Sequence, residues 1–516
     1  MLDDFMRIKS LKTLALGFPL IILFIWFFIK QFQFQSPDQS FVDALIALQI
    51  SKGWIDGRPF MFESYNGFHS TFHNYYIMLP MGLVTWFTGV YGLFIIYLGL
   101  LAFLLIKLGR WITKLSDQNW FSTWLAILIY MIGPFAFLIF IDRFGWHPEQ
   151  YFLPLLTLSA YYLSRRKWIL SITFLVLTAS VKETSSALIC GLLIFASTTD
   201  KLLENPEIIW YKALLQRRNI IIVACCLALF IMSMALLSYM NGSQPSRLSQ
   251  AFGSLMNNIS SMRFLVYVAE TITAATLLFF IAILPFIPWL RITPHGYLLA
   301  GILLLFLIAL AVIFFIEGLL YYPSFLGNLP YPTRIGSAWA FFFSCYLFLI
   351  IRLTEKGIFI KSQFREWSLW SCIFQLVFSF FLISENWTPE IYKQGKGGVV
   401  FHFIKNFFGP DPYSDQDWQQ LHTLAQQLPK NAEVLAPDKY LSVFHRVYGV
   451  GWHHSNLVLR QPALYVYEKA LLKTSKEYRF PTKGYTVVPN KNLLILIHST
   501  WKAQKINSPE KNGKNG

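Results

Sequence analysis

Long unbroken apolar runs restrict the fold of this chain more than any other feature. Residues 297–316, for example, contain no charged side chain. Runs of about 20 apolar residues match the roughly 30 Å hydrocarbon thickness of a bilayer. Only 14% of all residues are charged, compared with about 25% in an average soluble protein. The sequence therefore predicts a polytopic membrane protein and excludes a disordered chain or a single soluble globule.

The net charge of +16 indicates membrane orientation, because many basic residues occupy short loops between apolar runs. Cytoplasmic loops of membrane proteins are enriched in Lys and Arg, and this bias orients the spans. Arg7, Lys9 and Lys12 precede the first apolar run. We therefore predict a retained signal anchor with a cytoplasmic N-terminus, and no nucleic-acid partner.

A short apolar run at 75–87 decides the predicted topology. This run contains Pro80 and is too short for a span, so it predicts an interfacial or re-entrant helix. With this interpretation Lys107, Arg110 and Lys114 fall on the cytoplasmic side, as the positive-inside rule requires. The result is an all-α bundle of about eleven transmembrane helices within 1–384, with the C-terminus outside. The predicted spans are 13–28, 91–106, 119–141, 151–164, 168–181, 184–198, 219–239, 266–290, 297–316, 335–351 and 367–383.

The polar segment 385–507 has a different pattern and predicts a small extracytoplasmic α/β domain. Apolar residues recur at helical spacing over 415–428. Strands are expected at 433–436, 486–488 and 493–497, where short apolar runs occur between turn residues. Residues 508–516 are expected to be a disordered end.

Carboxylates and imidazoles are concentrated in two predicted outer loops, 31–74 and 142–149. Both loops face the same side of the membrane, so we expect them to converge in one water-filled pocket. Such groups act as general acids or bases, or bind a divalent cation. The alternative is that they only make exposed loops soluble. The residues concerned are Asp38, Asp43, His69, His73, Asp142, His147 and Glu149.

Two spacings among these residues are notable. Pro148 separates His147 from Glu149, and its fixed φ would hold the two side chains at a defined angle. We therefore identify His147 and Glu149 as candidate metal ligands. His69 and His73 are four residues apart, which places them on one face if the segment is helical. This spacing fits either a metal or the binding of a phosphate.

Cationic residues at the outer ends of predicted spans are candidates for substrate binding. Lys182 and Glu183 lie between the spans 168–181 and 184–198. They either contact substrate or reach from the membrane boundary towards water, as long polar side chains do. Arg334 begins the span 335–351 and can bind a phosphate through two parallel hydrogen bonds, or contact a lipid headgroup instead.

The segment from His147 to Glu183 resembles a prokaryotic family of membrane proteins called domain of unknown function 2079. The shared features are a His-Pro-Glu box at 147–149, Pro154 five residues beyond the glutamate, and the Lys182-Glu183 pair. An earlier signature of the family has a looser counterpart in Asp38, Asp43, His69 and Leu79-Pro80. The resemblance covers residues 36–195 and implies a prokaryotic plasma-membrane protein.

That family is in turn similar to the GT-C superfamily of membrane glycosyltransferases. The resemblance implies a GT-C-like bundle with an acidic first outer loop and an interfacial helix. It further implies a polyprenyl-phosphate sugar donor, reached from the bilayer, and Asp38 or Asp43 as the base that deprotonates the acceptor. Many GT-C enzymes have adjacent or once-spaced acidic residues here, whereas these two are five positions apart. Which of them corresponds to the catalytic position is therefore open.

The same resemblance assigns the positive charge that stabilises the leaving phosphate. It would come from Lys182, from Arg334, or from a divalent cation, Mg²⁺ or Mn²⁺, held by His147 and Glu149. His69, His73, Asp142 and Glu183 complete the predicted substrate site. The hypothesis is thus a glycosyltransferase acting on the non-cytoplasmic face, with membrane lipids as partners.

Two other functions fit the same sequence features. The first is a transporter or flippase of a lipid-linked or anionic solute, although we find no inverted repeat of the kind many transporters carry. The second is a non-catalytic membrane scaffold whose outer domain binds a partner.

Overall fold

The computed structural model describes most of the chain as helices, followed by a small C-terminal sheet. This arrangement confirms the prediction of apolar membrane helices with a C-terminal region that contains strands. The described residues are 17–28, 42–64, 67–68, 73–114, 120–141, 146–240, 247–321, 332–358, 362–386, 416–451, 462–469 and 484–500.

The helices are numbered α1–α17 in chain order. The first eight are Gly17–Phe28, Val42–Gly53, Met78–Thr88, Tyr91–Ile112, Trp120–Ile141, Phe152–Ser164, Trp168–Ala179 and Ser185–Glu204. The other nine are Trp210–Leu214, Arg217–Met240, Arg247–Asn258, Met262–Ile283, Ile287–Ile292, Gly296–Tyr321, Pro332–Glu355, Ser362–Asn386 and Gln416–Gln427. Short 3₁₀ turns occupy Pro148–Tyr151, Leu284–Phe286 and Asp438–Phe444.

Within the described residues, six helical segments are long and apolar enough to cross a membrane. They are Tyr91–Ile112, Ser185–Glu204, Arg217–Leu237, Phe264–Ile292, Gly296–Ile313 and Gly336–Glu355. Helices α6 and α7 have 13 and 12 residues, which gives each a length of about 20 Å, short of a full bilayer. The chain is therefore membrane-embedded, and the larger number of eleven spans stays a prediction.

The predicted short helix at 75–87 is present as α3. It has 11 residues, so it extends about 17 Å and does not reach across a bilayer. Its buried side packs on α2 at close range, because a Cβ on Gly82 would lie 2.3 Å from the Ser51 carbonyl oxygen. Leu83 and Phe87 on the other side are exposed. Helix α3 thus has the length and the one-sided burial expected of an interfacial helix.

Helices α6 and α15 form the centre of the bundle. Every residue of α6 is buried, and α15 is buried from Gly336 to Leu353. Small side chains let these helices approach closely, and the hydroxyl oxygens of Thr157 and Ser344 lie 3.1 Å apart between them. By contrast, only 11% of the α10 segment is buried, which leaves an apolar surface suited to lipid.

A two-stranded ladder joins β1 Phe62–Glu63 to β2 Gly67–Phe68. The strands of the C-terminal sheet are β3 Glu433–Ala436, β4 Tyr448–Gly451, β5 Leu464–Glu468, β6 Tyr485–Val488 and β7 Leu493–His498. Their order in the sheet is β4-β3-β5-β7-β6. Strand β3 is parallel to β4 and β5, whereas β7 is antiparallel to β5 and β6. Strands β3, β6 and β7 confirm the sequence prediction, whereas β4 and β5 were not predicted.

Candidate functional site

Four segments that are distant in sequence bring six of the predicted site residues together. Asp43 lies at the start of α2, and His73 lies in the irregular segment before α3. His147 and Glu149 flank Pro148 between α5 and α6, and Lys182 and Glu183 connect α7 to α8. We call this group, with the adjacent Asn74 and Tyr75, the outer cluster.

The most buried ion pair of the outer cluster joins Glu149 to Lys182. Lys182 Nζ lies 3.1 Å from Glu149 Oε1, and both side chains are less than 10% exposed. The Tyr75 hydroxyl donates a second hydrogen bond to the same oxygen over 3.1 Å. Burial acts to raise the pKa of Glu149, but the positive charge of Lys182, aided by His147 and His73, lowers that pKa to about 2. Glu149 is therefore ionised at neutral pH.

The second oxygen of Glu149 has a different environment. Glu149 Oε2 is buried and has no hydrogen-bond partner among the described residues. A buried carboxylate oxygen without a donor is energetically costly. This oxygen is thus the atom of the cluster most in need of a hydroxyl, a water molecule or a cation.

Glu183 is held by the segment that precedes α3. Its Oε1 lies 2.8 Å from His73 Nδ1, and its Oε2 accepts a hydrogen bond from the Asn74 backbone N–H over 3.2 Å. Burial raises the pKa of Glu183, although Lys182 and the Asn74 N–H oppose this effect. The two glutamates of the cluster therefore differ, since Glu183 takes up a proton more readily than Glu149.

Asp43 is the most exposed carboxylate of the outer cluster. Its Oδ2 lies 3.2 Å from His147 Nε2, and its side chain is 30% exposed. An accessible carboxylate beside an imidazole can accept a proton from a bound hydroxyl. This chemistry is what the sequence analysis expected of Asp43.

Local backbone structure and hydrogen bonds position the two segments that carry His147–Glu149 and Lys182–Glu183. His147 is extended, with φ −130° and ψ 141°, and the 3₁₀ turn begins at Pro148, in agreement with the restriction that a proline places on its predecessor. The Tyr151 hydroxyl donates to the Leu93 carbonyl over 3.0 Å and ties this turn to α4. On the other side, the Ile77 N–H donates to the Ser180 carbonyl over 2.8 Å. This second bond joins the segment before α3 to the segment before α8.

Two residues of the outer cluster were missed by the sequence analysis. Tyr75 was counted as the first apolar residue of the run 75–87, although its hydroxyl binds Glu149. Asn74 links the cluster to α10, because its amide nitrogen donates to the Ser233 carbonyl over 3.0 Å. Polar residues at the edge of an apolar run, directly after a histidine, were the available signal.

Other predicted site residues are placed differently. Asp38, His69 and Asp142 lie outside the described residues. Arg334 is in the first turn of α15, which is as much as the structure describes of it. His147 and Glu149 were expected to act together as ligands, but the structure pairs His147 with Asp43 and Glu149 with Lys182. Lys182 is buried, which differs from a lysine that reaches out to water.

Within the part of the chain that the structure describes, no three His, Cys, Asp or Glu side chains come together as metal ligands. The predicted Mg²⁺ or Mn²⁺ would have Glu149 Oε2 and the His147 imidazole as nearby donors, and it stays a prediction.

Comparison with protein-family models and with curated proteins finds no match for this chain.

Proposed function

We propose that this chain is an integral membrane glycosyltransferase that transfers a sugar from a polyprenyl-phosphate donor to an acceptor hydroxyl. The observation that carries the proposal is the outer cluster itself. It places three carboxylates, two imidazoles and one ammonium group beside the ends of α6, α7 and α8. Buried ionisable groups at the end of an apolar bundle are costly and indicate a functional site.

Asp43 is the proposed general base. The acceptor hydroxyl gives its proton to Asp43 as its oxygen bonds to the anomeric carbon of the sugar. The bond from that carbon to the phosphate oxygen breaks, and the electron pair leaves with the polyprenyl phosphate. His147 lies 3.2 Å from Asp43 and is suited to orient the carboxylate. Asp38 remains the second candidate for the base.

The leaving phosphate needs positive charge. Lys182 is already paired with Glu149, so we assign this role to Arg334 or to the predicted divalent cation. Lys182 then acts indirectly by keeping Glu149 in place. His73 and Glu183, with His69 and Asp142, are assigned to substrate binding.

The donor would reach this site from the membrane. We propose about eleven spans, a cytoplasmic N-terminus and an outer C-terminal domain, with α3 lying in the interface. The lipid-facing surface of α10, which is connected to the cluster by Asn74 and Ser233, offers an apolar route for a polyprenyl chain. The proposed location is a prokaryotic plasma membrane.

The test is a transfer assay on purified protein in lipid vesicles. Polyprenyl-phosphate sugars serve as donors and mixed membrane extracts as acceptors. Asp43→Asn should lower kcat by about 100-fold or more, the usual contribution of a general base. Glu204→Gln is the matched control, because Glu204 is an exposed carboxylate paired with Arg166. Unchanged activity in both Asp43→Asn and Asp38→Asn would remove the proposed base.

The other two hypotheses give different results in the same vesicles. A transporter or flippase moves labelled lipid across the membrane without forming a new covalent product. A scaffold loses its function when residues 386–516 are deleted, while substitutions in the outer cluster have no effect.

A further inference from the structure

The C-terminal sheet packs directly on α2, the helix that carries Asp43. Gln49, in the middle of α2, is fully buried, and its side-chain nitrogen donates to the Gly449 carbonyl of β4 over 3.0 Å. Its side-chain oxygen accepts from the Ser64 N–H over 2.8 Å. One side chain therefore joins α2 both to the sheet and to the loop that follows the helix.

Lys52 makes a second connection at the C-terminal end of α2. Its ammonium group donates to the carbonyl oxygens of Lys430 and Arg446 over 2.7 and 2.8 Å, and it lies 3.5 Å from Asp56. Burial lowers the pKa of Lys52 to about 8, although Asp56 opposes this effect. A lysine in such a position is packed against the C-terminal domain and is not a solvated surface group.

The loop after α2 provides a third connection. The Tyr448 hydroxyl donates to Asp56 Oδ2 over 2.7 Å, and Trp86 of α3 donates to Asp56 Oδ1 over 3.0 Å. Arg58 pairs with Glu433 over 3.0 Å and lies over the Tyr448 ring, 3.3 Å from its centroid. The Lys430 ammonium group lies over the Trp86 ring, 3.8 Å from its centroid. The C-terminal domain thus contacts α2, the loop that follows it and α3.

Helix α2 is continuous from Val42 to Gly53, so it transmits these constraints to Asp43. Lys52 and Asp43 are separated by about 14 Å along the helix axis. Most of α2 is buried between α3 and the sheet, which leaves little freedom for it to shift or rotate. A displacement of the C-terminal domain would move Asp43 relative to His147, which belongs to a different segment.

We infer that the C-terminal domain is a positioning element of the site, and that it acts through Gln49, Lys52 and Tyr448. The domain supplies no group to the outer cluster among the described residues, but it fixes the separation of Asp43 from His147. The inference rests on the proposed role of Asp43 as the base. It deepens that proposal by making the two domains one functional unit.

The first test needs no substrate. Protein with ¹³C-labelled histidine rings is treated with a chelator, and the ring signals of His147 and His73 are recorded at one pH. Each signal is assigned by its disappearance when that histidine is replaced by glutamine. The Asp43→Asn variant then shows how the His147 signal shifts when the neighbouring carboxylate is lost. The test variants are Tyr448→Phe and Lys52→Met.

Both test variants should move the His147 signal in the direction seen for Asp43→Asn. The His73 signal should stay in place, because its partner Glu183 lies between α7 and α8 and not on α2. Tyr485→Phe is the matched control. The Tyr485 hydroxyl donates a hydrogen bond too, but to a carbonyl of the C-terminal domain itself, Pro462, over 2.8 Å, and Tyr485 lies on the opposite edge strand, β6. An unmoved His147 signal, or equal movement of both histidines, would overturn the inference.

The second test uses the transfer assay. Tyr448→Phe should lower kcat by about 10- to 100-fold, the effect of a small misplacement of a reacting group, while the KM for the donor stays the same. An inactive wild-type protein with the expected histidine signals would reject the glycosyltransferase and leave the positioning role intact. If Tyr448→Phe displaced the His147 signal but left kcat unchanged, the position set by the C-terminal domain would not matter for catalysis.

Discussion

The pair formed by Glu149 and Lys182 dominates the electrostatics of the outer cluster. Removing both charges from water is costly, and their mutual attraction compensates only while both partners are present. Tyr75 adds a hydrogen bond to the same carboxylate oxygen. Removing only one of the two charges should therefore lower the free energy of unfolding by more than the intact pair contributes to it.

Lys182→Met should destabilise the protein by about 3–5 kcal/mol, because it leaves a buried carboxylate without its counter-ion. The double variant Lys182→Met/Glu149→Gln should recover much of this loss. Arg166→Met is the matched control, since Arg166 and Glu204 form an exposed pair that should contribute about 1 kcal/mol or less. Unfolding in mixed detergent micelles measures these differences. If Lys182→Met and Arg166→Met lowered the free energy of unfolding equally, the Glu149–Lys182 pair would not be buried as described.

The pKa of Glu149 also predicts a dependence of stability on pH. The folded-state pKa of about 2 lies below the ordinary value of 4.5, so the carboxylate stabilises the folded state above pH 4.5. This contribution should be lost as the pH falls from 4.5 towards 2. In Glu149→Gln the unfolding midpoint should depend less on pH over this range than in wild type. If the unfolding midpoint depended on pH equally in Glu149→Gln and in wild type, the pKa of Glu149 would not be lowered in the folded state.

The six ionisable residues of the outer cluster that were candidates from the sequence could be selected, but their partners could not be predicted. Outer-loop placement and the His-Pro-Glu and Lys-Glu boxes were sufficient to select Asp43, His73, His147, Glu149, Lys182 and Glu183. Which side chain contacts which depends on the directions of side chains in segments up to about 140 positions apart, and no local pattern encodes this. Tyr75 was missed because hydropathy counts its ring as apolar and ignores its hydroxyl.

At the scale of elements, predictions succeeded where the local pattern was strong. Strands β3, β6 and β7 are short apolar segments bounded by turn residues, and α3 was recognised from its length and from the charges that follow. Strand β4 contains Gly449 and Gly451, and glycine is unfavourable in strands. Its conformation is set by pairing with β3 and by contact with α2, which are tertiary effects absent from the local sequence.

Gly89, directly after α3, is a further contact between α3 and the C-terminal domain. Its φ of +64° and ψ of −148° lie near a region that is almost exclusive to glycine, and a Cβ would lie 2.7 Å from the His445 carbonyl oxygen. Gly89→Ala should therefore destabilise the protein by about 1–3 kcal/mol and should expose the C-terminal domain to proteases.

Gly99 in α4 provides the control for this substitution. A Cβ there would have no heavy atom of the described structure within 4 Å, so Gly99→Ala should be neutral or stabilise the helix by about 0.5–1 kcal/mol. Unfolding midpoints and limited proteolysis of both variants measure the difference. A Gly89→Ala protein as stable and protease-resistant as Gly99→Ala would contradict the described contact.

At the scale of the whole molecule, charged clusters occupy opposite ends of α8. Glu183 and the outer cluster lie at its beginning, whereas Asp200 near its end pairs with Arg352 over 2.6 Å. Arg352 also pairs with Glu355 over 3.0 Å, and Glu355 in turn contacts Arg165. The 20 residues of α8 extend about 30 Å, the thickness of the hydrocarbon layer. Glu183 and Asp200 are separated by about 26 Å along this helix, so the two clusters lie near opposite ends of a helix of membrane length.

The central proposal is that the outer cluster opens away from the cytosol and that the arginine-rich end faces it, in keeping with the positive-inside rule. Cysteine labelling tests the claim directly. The background is a variant in which the five native cysteines are replaced, namely Cys190, Cys225, Cys226, Cys345 and Cys372. Trp54 next to α2 is 45% exposed and reports on the outer side, whereas the Arg166 side chain is 58% exposed and reports on the opposite end.

The decisive measurement is the reaction of Trp54→Cys and Arg166→Cys with a membrane-impermeant maleimide, in intact cells and after permeabilisation. We expect Trp54→Cys to react in intact cells and Arg166→Cys to react only once the membrane is opened. Protection of Trp54→Cys in intact cells, with free reaction of Arg166→Cys, would place the cluster in the cytosol and contradict the proposed function.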